Sequence, residues 1–212
     1  MTLLAAHLND AGILITDGER ILCREPGFAL LEDDGLVTGS AAWRSASLKP
    51  RRIQNRYWSD LTTAPLVDRR FQHLTAADIA SQQLEELWRR TAKPGDHLAL
   101  AVPAYMGNEN LGLLLGIAMD LDIPVVAMVD AAVAATRRQY THGVPVHIDL
   151  SLYSASLTRL SQSGQAQYER AAVIDQAGML DLYDIWLRVI AETFVQQSRF
   201  DPLHTAETEQ VI

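Results

Sequence analysis

Residues 98–138 read LALAVPAYMGNENLGLLLGIAMDLDIPVVAMVDAAVAATRR, and this stretch decides the fold class. Its apolar runs at 98–102 and 124–129 are each typical of a buried β-strand. A helical pattern follows each run, beginning at Asn108 as a capping residue in the first case and at Asp130 in the second. Apolar strands separated by helices are typical of parallel strands covered on both faces, so we expect an α/β fold.

The first forty residues carry the pattern of β-hairpins. Leu3–His7, Ile13–Thr16 and Arg20–Cys23 are expected strands. Asp17-Gly18 joins the last two, because this dipeptide tolerates the positive φ angles of a tight turn. Asp33-Asp34-Gly35 is a second turn signal between two short apolar runs.

Two helices are expected before the deciding stretch. A short helix should cover 39–48 with Ser40 as its cap, and a longer one should begin at Thr75, which with Asp78 resembles a capping box. Residues 49–74, between these helices, are irregular in pattern. We expect them to form an inserted, mostly surface segment.

The opening pattern returns in the second half of the sequence. Residues 145–150, 154–161 and 165–174 predict three consecutive strands, and a helix should run from about Met179 to Gln197. One face of that helix is apolar and consists of Leu182, Ile185, Trp186, Val189, Ile190 and Phe194. A repeated βββα start indicates an internal duplication. Since the second copy stops after one helix, we expect either a fragment of a longer protein or a natively reduced second half.

Composition excludes several classes of protein. The 212 residues are 48% hydrophobic and carry a formal charge of -8, which indicates a globular chain that repels nucleic acid and anionic lipid. The basic run from Arg44 to Arg56, beside Tyr57 and Trp58, is expected to be a solvated loop, with phosphate contact as the alternative. No apolar run approaches the roughly 20 residues of a membrane span. The single cysteine, Cys23, suits a reducing compartment, so we predict a cytoplasmic protein without nucleic-acid or membrane partners.

Two acidic residues are candidate ligands. The sequence has no Walker loop, GxSxG elbow or HExxH zinc motif. Asp130 and Asp149, however, each follow an apolar strand, where α/β sheets place ligands. Such a pair could hold Mg²⁺ through water beside a polyphosphate. The alternative is that Asp130 caps the Ala-rich helix and Asp149 ends a strand.

Four colinear stretches resemble the 70-kDa heat-shock (DnaK-like) chaperones. Residues 98–138 are similar to the part of that family from its VPAYF motif to its NEPTAAALAYG motif, and 146–160 (VHIDLSLYSASLTRL) to its second phosphate loop, FDLGGGTFDVSIL. Residues 37–50 (VTGSAAWRSASLKP) resemble IGDAAKNQAALNP, and 177–194 track the GGEDFD turn with its following helix. The resemblance implies the actin-like ATPase fold, with Mg-ATP held between two lobes that each have a ribonuclease-H-like core.

The resemblance also implies a domain organisation. Residues 1–142 would form the first actin-like lobe, with 24–95 as its inserted subdomain. Residues 143–200 would begin the second lobe, and 201–212 would form a polar tail.

Departures from the family pattern fall in the phosphate loops. Residues 7–11 correspond to the first loop, where His7 replaces an aspartate and no glycine remains. In the second loop Asp149 matches the family aspartate, but 151–153 (Ser-Leu-Tyr) replace three glycines. Glycines let the backbone approach a phosphate, so we expect obstruction there. The family's catalytic lysine has no counterpart, and Arg56 is the nearest cation.

Site residues follow from the resemblance. Asp130 and Asp149 are the implied catalytic and Mg²⁺-side acids. The candidate nucleotide contacts are His7, Asn9, Asp10, Ser151, Ser154 and Gly178. The implied cofactors are ATP or ADP with Mg²⁺, and because the loops are degenerate we expect this chain alone to bind them weakly or not at all and to be inactive.

Two functions from different classes are compatible with the sequence. The first is the N-terminal lobe of a divergent heat-shock-70-like chaperone or ATPase, with protein clients or co-chaperone-like partners. The alternative is a non-enzymatic actin-like scaffold or protein-interaction module with a decayed nucleotide site. A sugar or acetate kinase of the same fold lacks its own signature here. Surface meant for a missing half of the second lobe could drive self-association.

Overall fold

The computed structural model describes residues 2–33 and 35–211 and shows a mixed α/β chain. Its strands are β1 (Leu3–His7), β2 (Ile13–Thr16), β3 (Ile21–Glu25), β4 (Ala29–Glu32), β5 (Gly35–Thr38), β6 (Ile53–Gln54), β7 (His97–Val102), β8 (Val125–Asp130), β9 (Val146–Leu150), β10 (Ser154–Ser163) and β11 (Gln165–Asp175). Its α-helices are α1 (Ser40–Trp43), α2 (Ala76–Thr91), α3 (Asn108–Asp120), α4 (Ala131–Ala135), α5 (Met179–Ser198) and α6 (Ala206–Glu209). Asp34, inside the second predicted turn, lies outside the described residues.

A five-stranded mixed sheet forms the centre of the molecule, in the order β3-β2-β1-β7-β8. The hairpin pairs β1–β2 and β2–β3 are antiparallel, whereas β1–β7 and β7–β8 are parallel. The predicted turn at Asp17-Gly18 is confirmed, and Gly18 has a φ of 92° there. The central strands contribute most of their apolar side chains to the main core, which α2 and α3 complete. The α/β expectation is therefore confirmed.

Two smaller antiparallel sheets flank this centre. One has the order β5-β4-β6 and the other the order β11-β10-β9. The three predicted strands of the second half all belong to the latter sheet. The turn between β10 and β11 is at Gly164, whose φ is 92°.

Helix starts were predicted with mixed success. The capping box of α2 is confirmed, since Thr75 and Asp78 satisfy each other's backbone N–H groups. Ser40 as a cap is wrong: Gly39, with a φ of 71°, occupies that position, and the Glu25 carboxylate accepts from both the N–H and the hydroxyl of Ser40. That helix also ends at Trp43 instead of continuing to residue 48.

At α3 the predicted cap was also wrong. Gly107 occupies the capping position, its backbone extended, and Asn108 is the first helical residue. Gly107 has no side chain that could cap the helix. The capping position was therefore one residue earlier than the polar Asn108 indicated.

The expectation of a mostly surface segment at 49–74 is wrong for its aromatic residues. Tyr57 and Trp58 are 3% and 1% exposed and belong to the main core. The side-chain oxygen of Gln83, on α2, accepts hydrogen bonds from the Tyr57 hydroxyl at 2.6 Å and the Trp58 indole N–H at 2.7 Å. One amide therefore satisfies both polar tips and lets the rings be buried.

Two elements leave apolar surface exposed. The strand predicted to be buried at 124–129 is β8, which is an edge of the central sheet, and Val126 is 56% exposed there. The helix α5 buries Ala191 but leaves its predicted apolar face largely in solvent. Among the described residues, the structure contains no helix with the length and apolar character to span a membrane.

Candidate functional site

The two loops that the sequence assigns to phosphate binding lie against each other. The first follows β1, the middle strand of the central sheet, and the second connects β9 to β10 in the neighbouring sheet. Asn9 and Asp10 of the first loop are buried, as are Ser151 and Leu152 of the second. The two loops therefore come from different sheets, and hydrogen bonds of their own residues connect them.

Asn9 joins the loops through its side-chain amide. Its Nδ2 donates to Asp149 Oδ1 at 2.7 Å and to the Leu150 carbonyl at 2.9 Å. Its Oδ1 accepts from the Ala11 backbone N–H at 2.9 Å, which fixes the turn of the first loop. The amide is thus fully engaged within the protein.

Asp10 makes the second connection. Its Oδ1 accepts from the Leu152 backbone N–H at 2.7 Å, and the residue is fully buried. Its Oδ2 is also buried and has no hydrogen-bond partner among the described residues. Burial raises the pKa of Asp10 to about 6, and the negative charge of Asp149 adds to this effect against the opposing backbone hydrogen bonds. We call the contacts of Asn9 and Asp10 with Asp149, Leu150 and Leu152 the loop junction.

His7 lies beside the same acid at the end of β1. Its Nε2 is 3.7 Å from Asp149 Oδ2, too far for a hydrogen bond, so the contact is an ion pair only when the imidazole is protonated. Burial acts to raise the pKa of Asp149, but His7 and the hydrogen bond from Asn9 outweigh it and hold that pKa below its usual range. The pKa values of Asp149 and Asp10, two neighbouring acids, are therefore shifted in opposite directions.

Internal bonds shape the second loop. The hydroxyl oxygens of Ser151 and Ser154 are 2.8 Å apart, and the Ser151 N–H donates to the Ser154 carbonyl at 2.9 Å. The start of α5 closes over this loop, because the Met179 N–H donates to the Ser151 carbonyl at 2.8 Å. A Cβ on Gly178 would lie 2.4 Å from the Leu152 carbonyl oxygen, so only glycine fits there.

Tyr153 and Arg56 form a contact that the sequence did not predict. The Arg56 guanidinium carbon lies 3.5 Å from the centroid of the Tyr153 ring, and the Tyr153 hydroxyl donates to Asn55. Arg56, the cation that the sequence analysis considered in place of the missing lysine, is thus held on the ring of Tyr153. The sequence feature that could have indicated this contact is the Ser-Leu-Tyr sequence of the loop, which places an aromatic side chain where glycine was expected. In the rest of the basic run, Lys49 and Arg52 pair with Glu32.

Asp130 stands apart from the junction. Its Oδ1 accepts from the Ala132 N–H at 2.8 Å, so it caps α4 as the alternative interpretation held. His7 pairs in register with Ala101 and Asp130 with Val102, which puts Asp130 two strands, or about 10 Å, from the end of β1. In residues 2–33 and 35–211, no group of three or more His, Cys, Asp or Glu side chains is arranged to hold a metal ion.

A nucleotide phosphate does not fit this arrangement. Phosphate loops bind through free backbone N–H groups, but those of Ala11, Ser151 and Leu152 already donate to protein acceptors. The acceptor at Leu152 is the Asp10 carboxylate, an internal anion where a phosphate oxygen would need its donor. A polyphosphate would have to displace this carboxylate and approach Asp149 as well. Asn9 and Asp10, two of the residues expected to contact nucleotide, instead hold the loops to each other.

Comparison with known proteins adds no assignment. The sequence matches no protein-family model and no curated protein. The function of the site is therefore inferred from its geometry and from the motif resemblance.

Proposed function

We propose that this chain is a divergent actin-like lobe, related to the heat-shock-70 chaperones, that works as a non-enzymatic protein-interaction module. Its ancestral nucleotide cleft has become an internal joint between the first lobe and the start of the second. The hydrogen bond from the Leu152 N–H to the Asp10 carboxylate is the observation that carries this proposal.

The chemistry of the junction supports a structural role. A backbone N–H in a phosphate loop is useful to a nucleotide only while it is free, and here a buried carboxylate occupies it. Leu152, 2% exposed, fills the space that a loop glycine would leave open. Bulk charge acts in the same direction, because a chain of net charge -8 does not attract a polyanion.

Exposed apolar surface supports an interaction role. Large apolar side chains stand in solvent along α5 and along β9, where Val146 is 53% and Ile148 65% exposed. Exposed large apolar side chains grouped on one helix or strand are typical of a surface that another protein covers. Protein partners are accordingly the class of ligand that we expect, rather than nucleotides.

Calorimetric titration of the full chain with Mg-ATP and with Mg-ADP tests the proposal. We expect no measurable heat of binding and no release of phosphate above the buffer rate, with a 70-kDa heat-shock chaperone measured in parallel as the positive control. Micromolar affinity for Mg-ATP would overturn the proposal and restore the ATPase alternative.

A variant sharpens this experiment. In Asp10→Ala the internal anion is gone and the Leu152 N–H loses its acceptor. If occupation of that N–H excludes phosphate, the variant should bind inorganic phosphate more tightly than the wild-type chain does, whereas Asp120→Ala, an exposed acid at the end of α3 and outside the junction, should not. Equal phosphate binding by all three proteins would contradict the role given to Asp10.

A further inference from the structure

The outer edge of β9 carries backbone groups that point away from the rest of its sheet. β9 is the last strand in the order β11-β10-β9, and no other described strand lies beside it. The Leu160 N–H donates to the Pro145 carbonyl at 3.0 Å, so Pro145 directs its carbonyl at β10. Because this direction alternates along a strand, Val146, Ile148 and Leu150 direct their N–H and C=O groups outward. The edge can therefore pair with a further strand.

Two of these residues have their outward backbone groups free. The Leu150 carbonyl accepts from Asn9 Nδ2 at 2.9 Å, at the end of β9 that adjoins the loop junction. For Val146 and Ile148, no residue in 2–33 or 35–211 donates to or accepts from the outward groups. Their side chains share one face of β9 with that of Leu150, and the three are 37–65% exposed. Unpaired backbone beside an apolar face is the surface to which extended peptides add as strands.

The first sheet shows how the corresponding edge of β1 is completed. β1 begins the first βββα pattern as β9 begins the second, and each strand leads into a loop of the junction. The Leu8 N–H donates to the Ala101 carbonyl at 3.0 Å, and the His97 N–H donates to the Thr2 carbonyl at 3.0 Å. Alternate residues of β1 therefore bond to β7, which runs parallel to β1.

Burial distinguishes the two edges. Leu4, Ala6 and Leu8 direct their backbone groups at β7, and they are 2% exposed or less. In register with Leu4 and Ala6, β7 places Leu98 and Leu100. An alanine follows each of these two leucines. A segment that covered β9 in the same way would be a parallel strand with large apolar residues at alternate positions and small residues between them.

Strand order and direction indicate which edge is used and by what. In the first sheet β3 stays at the outside, and its counterpart in the second sheet is β11, so the comparison points to the edge of β9. In the described chain after α5, residues form α6 and no strand. Two β9 edges related by a two-fold axis would run antiparallel, unlike β1 and β7, which argues against a second copy. The occupant that agrees with these observations is an extended segment of another protein.

We propose that the outer edge of β9 is a docking site for an extended segment of a protein partner. The segment pairs parallel to β9 and places large apolar side chains on the face of Val146, Ile148 and Leu150. Main-chain hydrogen bonds supply the affinity, and the alternation of large and small side chains supplies the selectivity. The inference deepens the proposed function by stating the chemistry of the partner, and it rests on that function for the biological role of the contact.

A peptide of residues 96–103 (DHLALAVP) is the probe, because it contains β7, the strand that pairs with the corresponding edge of β1. Fluorescence anisotropy of the labelled peptide, titrated with the full chain, should show saturable binding. Amide hydrogen exchange at Val146 and Ile148 should slow when the peptide is bound, because their outward N–H groups become hydrogen-bonded. Absence of saturable binding would overturn the inference.

Two methylated peptides test the strand pairing without a change to the protein. In the chain, the N–H groups of β7 alternate in direction, since that of His97 bonds to the β1 side and that of Leu98 donates to the Pro124 carbonyl before β8. By the same alternation, the Ala99 N–H faces β1 and the Leu100 N–H faces away from it. N-methylation at Ala99 should therefore weaken binding at least about tenfold, whereas N-methylation at Leu100 should not. Equal affinities of the two peptides would contradict parallel pairing through this edge.

A proline on each outer strand of the same sheet locates the site. Ile148→Pro removes an outward N–H and leaves the bonds to β10 in place, which an edge strand tolerates, and it should weaken peptide binding at least about tenfold. Val173→Pro on β11 is the matched control. Val173 is 41% exposed, and because the Gln176 N–H donates to the Tyr153 carbonyl, alternation directs the Val173 N–H outward. Circular dichroism checks that both variants are folded, and an equal loss of binding in the two would place the peptide elsewhere and overturn the inference.

Self-association and nucleotide binding are measured on the same samples. A dimer of the free chain in sedimentation velocity that Ile148→Pro abolishes, together with no peptide binding, would assign the edge to a second copy and overturn the inference. Peptide binding by a chain that also binds Mg-ATP would overturn the proposed function alone. A chain that binds neither peptide nor Mg-ATP would overturn this inference alone.

Discussion

The carboxylate of Asp10 accepts a hydrogen bond from the backbone N–H of Leu152, 142 positions later in the chain. This contact joins the loop after β1 to the loop after β9, and so connects two sheets that share no strand. Together with the hydrogen bonds of Asn9, it occupies the region where the resemblance implies nucleotide binding with contacts inside the protein. Four variants test how much these contacts and the neighbouring core contribute to the stability of the fold.

Stability should depend on pH through Asp10. Its pKa of about 6 in the folded protein is above the ordinary value of 3.8, so folding favours its protonated form. The stabilising contribution is fully present below about pH 4 and is lost as pH rises through 6, a change of about 3 kcal/mol. Asp10→Asn cannot titrate, so relative to the wild type it should become more stable as pH rises over this window.

Urea unfolding of both proteins between pH 4 and pH 8 measures this difference. Asp149 contributes with the opposite sign, because its pKa is lowered and its stabilisation is lost as pH falls. That contribution is present in both proteins and is largely removed by the comparison. A difference in unfolding free energy that stays constant with pH would count against the assignment to Asp10.

Asn9→Ala should be strongly destabilising. The substitution removes two hydrogen bonds from Nδ2 and one to Oδ1, and leaves the Asp149 carboxylate partly buried with fewer donors. We expect a loss of about 2–4 kcal/mol in the free energy of unfolding. Asn108→Ala, at an exposed residue, should stay within about 0.5 kcal/mol of the wild type. Similar small changes in both variants would show that the junction is not a major source of stability.

Local pattern predicted the strands well because alternation and tight-turn residues act over a few positions. The hairpin at Asp17-Gly18 and the capping box of Thr75 with Asp78 are both of this kind. The apolar face of α5 was also predicted, but helical periodicity identifies such a face without showing which element covers it. That this face is exposed depends on the packing of the other elements.

The sequence predicted only in part which candidate residues lie close together. It pointed to Asn9, Asp10 and Asp149 through the resemblance, and the structure brings these three together, whereas Asp130 caps α4 apart from them. Whether such polar groups face a ligand or each other depends on distances between loops about 140 residues apart. Burial of Tyr57 and Trp58 was missed for a similar reason, because it requires Gln83 from a different element.

Gly178→Ala should disturb the connection between the second loop and α5. The added Cβ would lie 2.4 Å from the Leu152 carbonyl oxygen and 2.6 Å from the Tyr153 carbonyl carbon, both backbone atoms. Because backbone must move, we expect a loss of about 3 kcal/mol or more in unfolding free energy. Gly112→Ala is the matched control: it lies in α3, where an added methyl group would meet no atom within 4 Å, and should gain about 0.5–1 kcal/mol. Comparable thermal stability of the two variants would contradict the close approach.

Gln83→Leu should show how much the hydrogen bonds of the buried Tyr57 and Trp58 contribute to stability. Gln83 is 1% exposed, its Oε1 accepts from Tyr57 and Trp58, and its Nε2 donates to the Pro26 carbonyl at 2.9 Å. A leucine of similar size leaves the Tyr57 and Trp58 donors buried without partners, whereas the Pro26 carbonyl keeps the N–H of Phe28, so we expect a loss of about 3 kcal/mol or more. Gln82→Leu, which removes the bond from Nε2 to the Leu36 carbonyl on a half-buried residue, should cost about 1 kcal/mol. Chemical denaturation of both variants measures the difference, and equal losses would mean that water satisfies Tyr57 and Trp58 as well as Gln83 does.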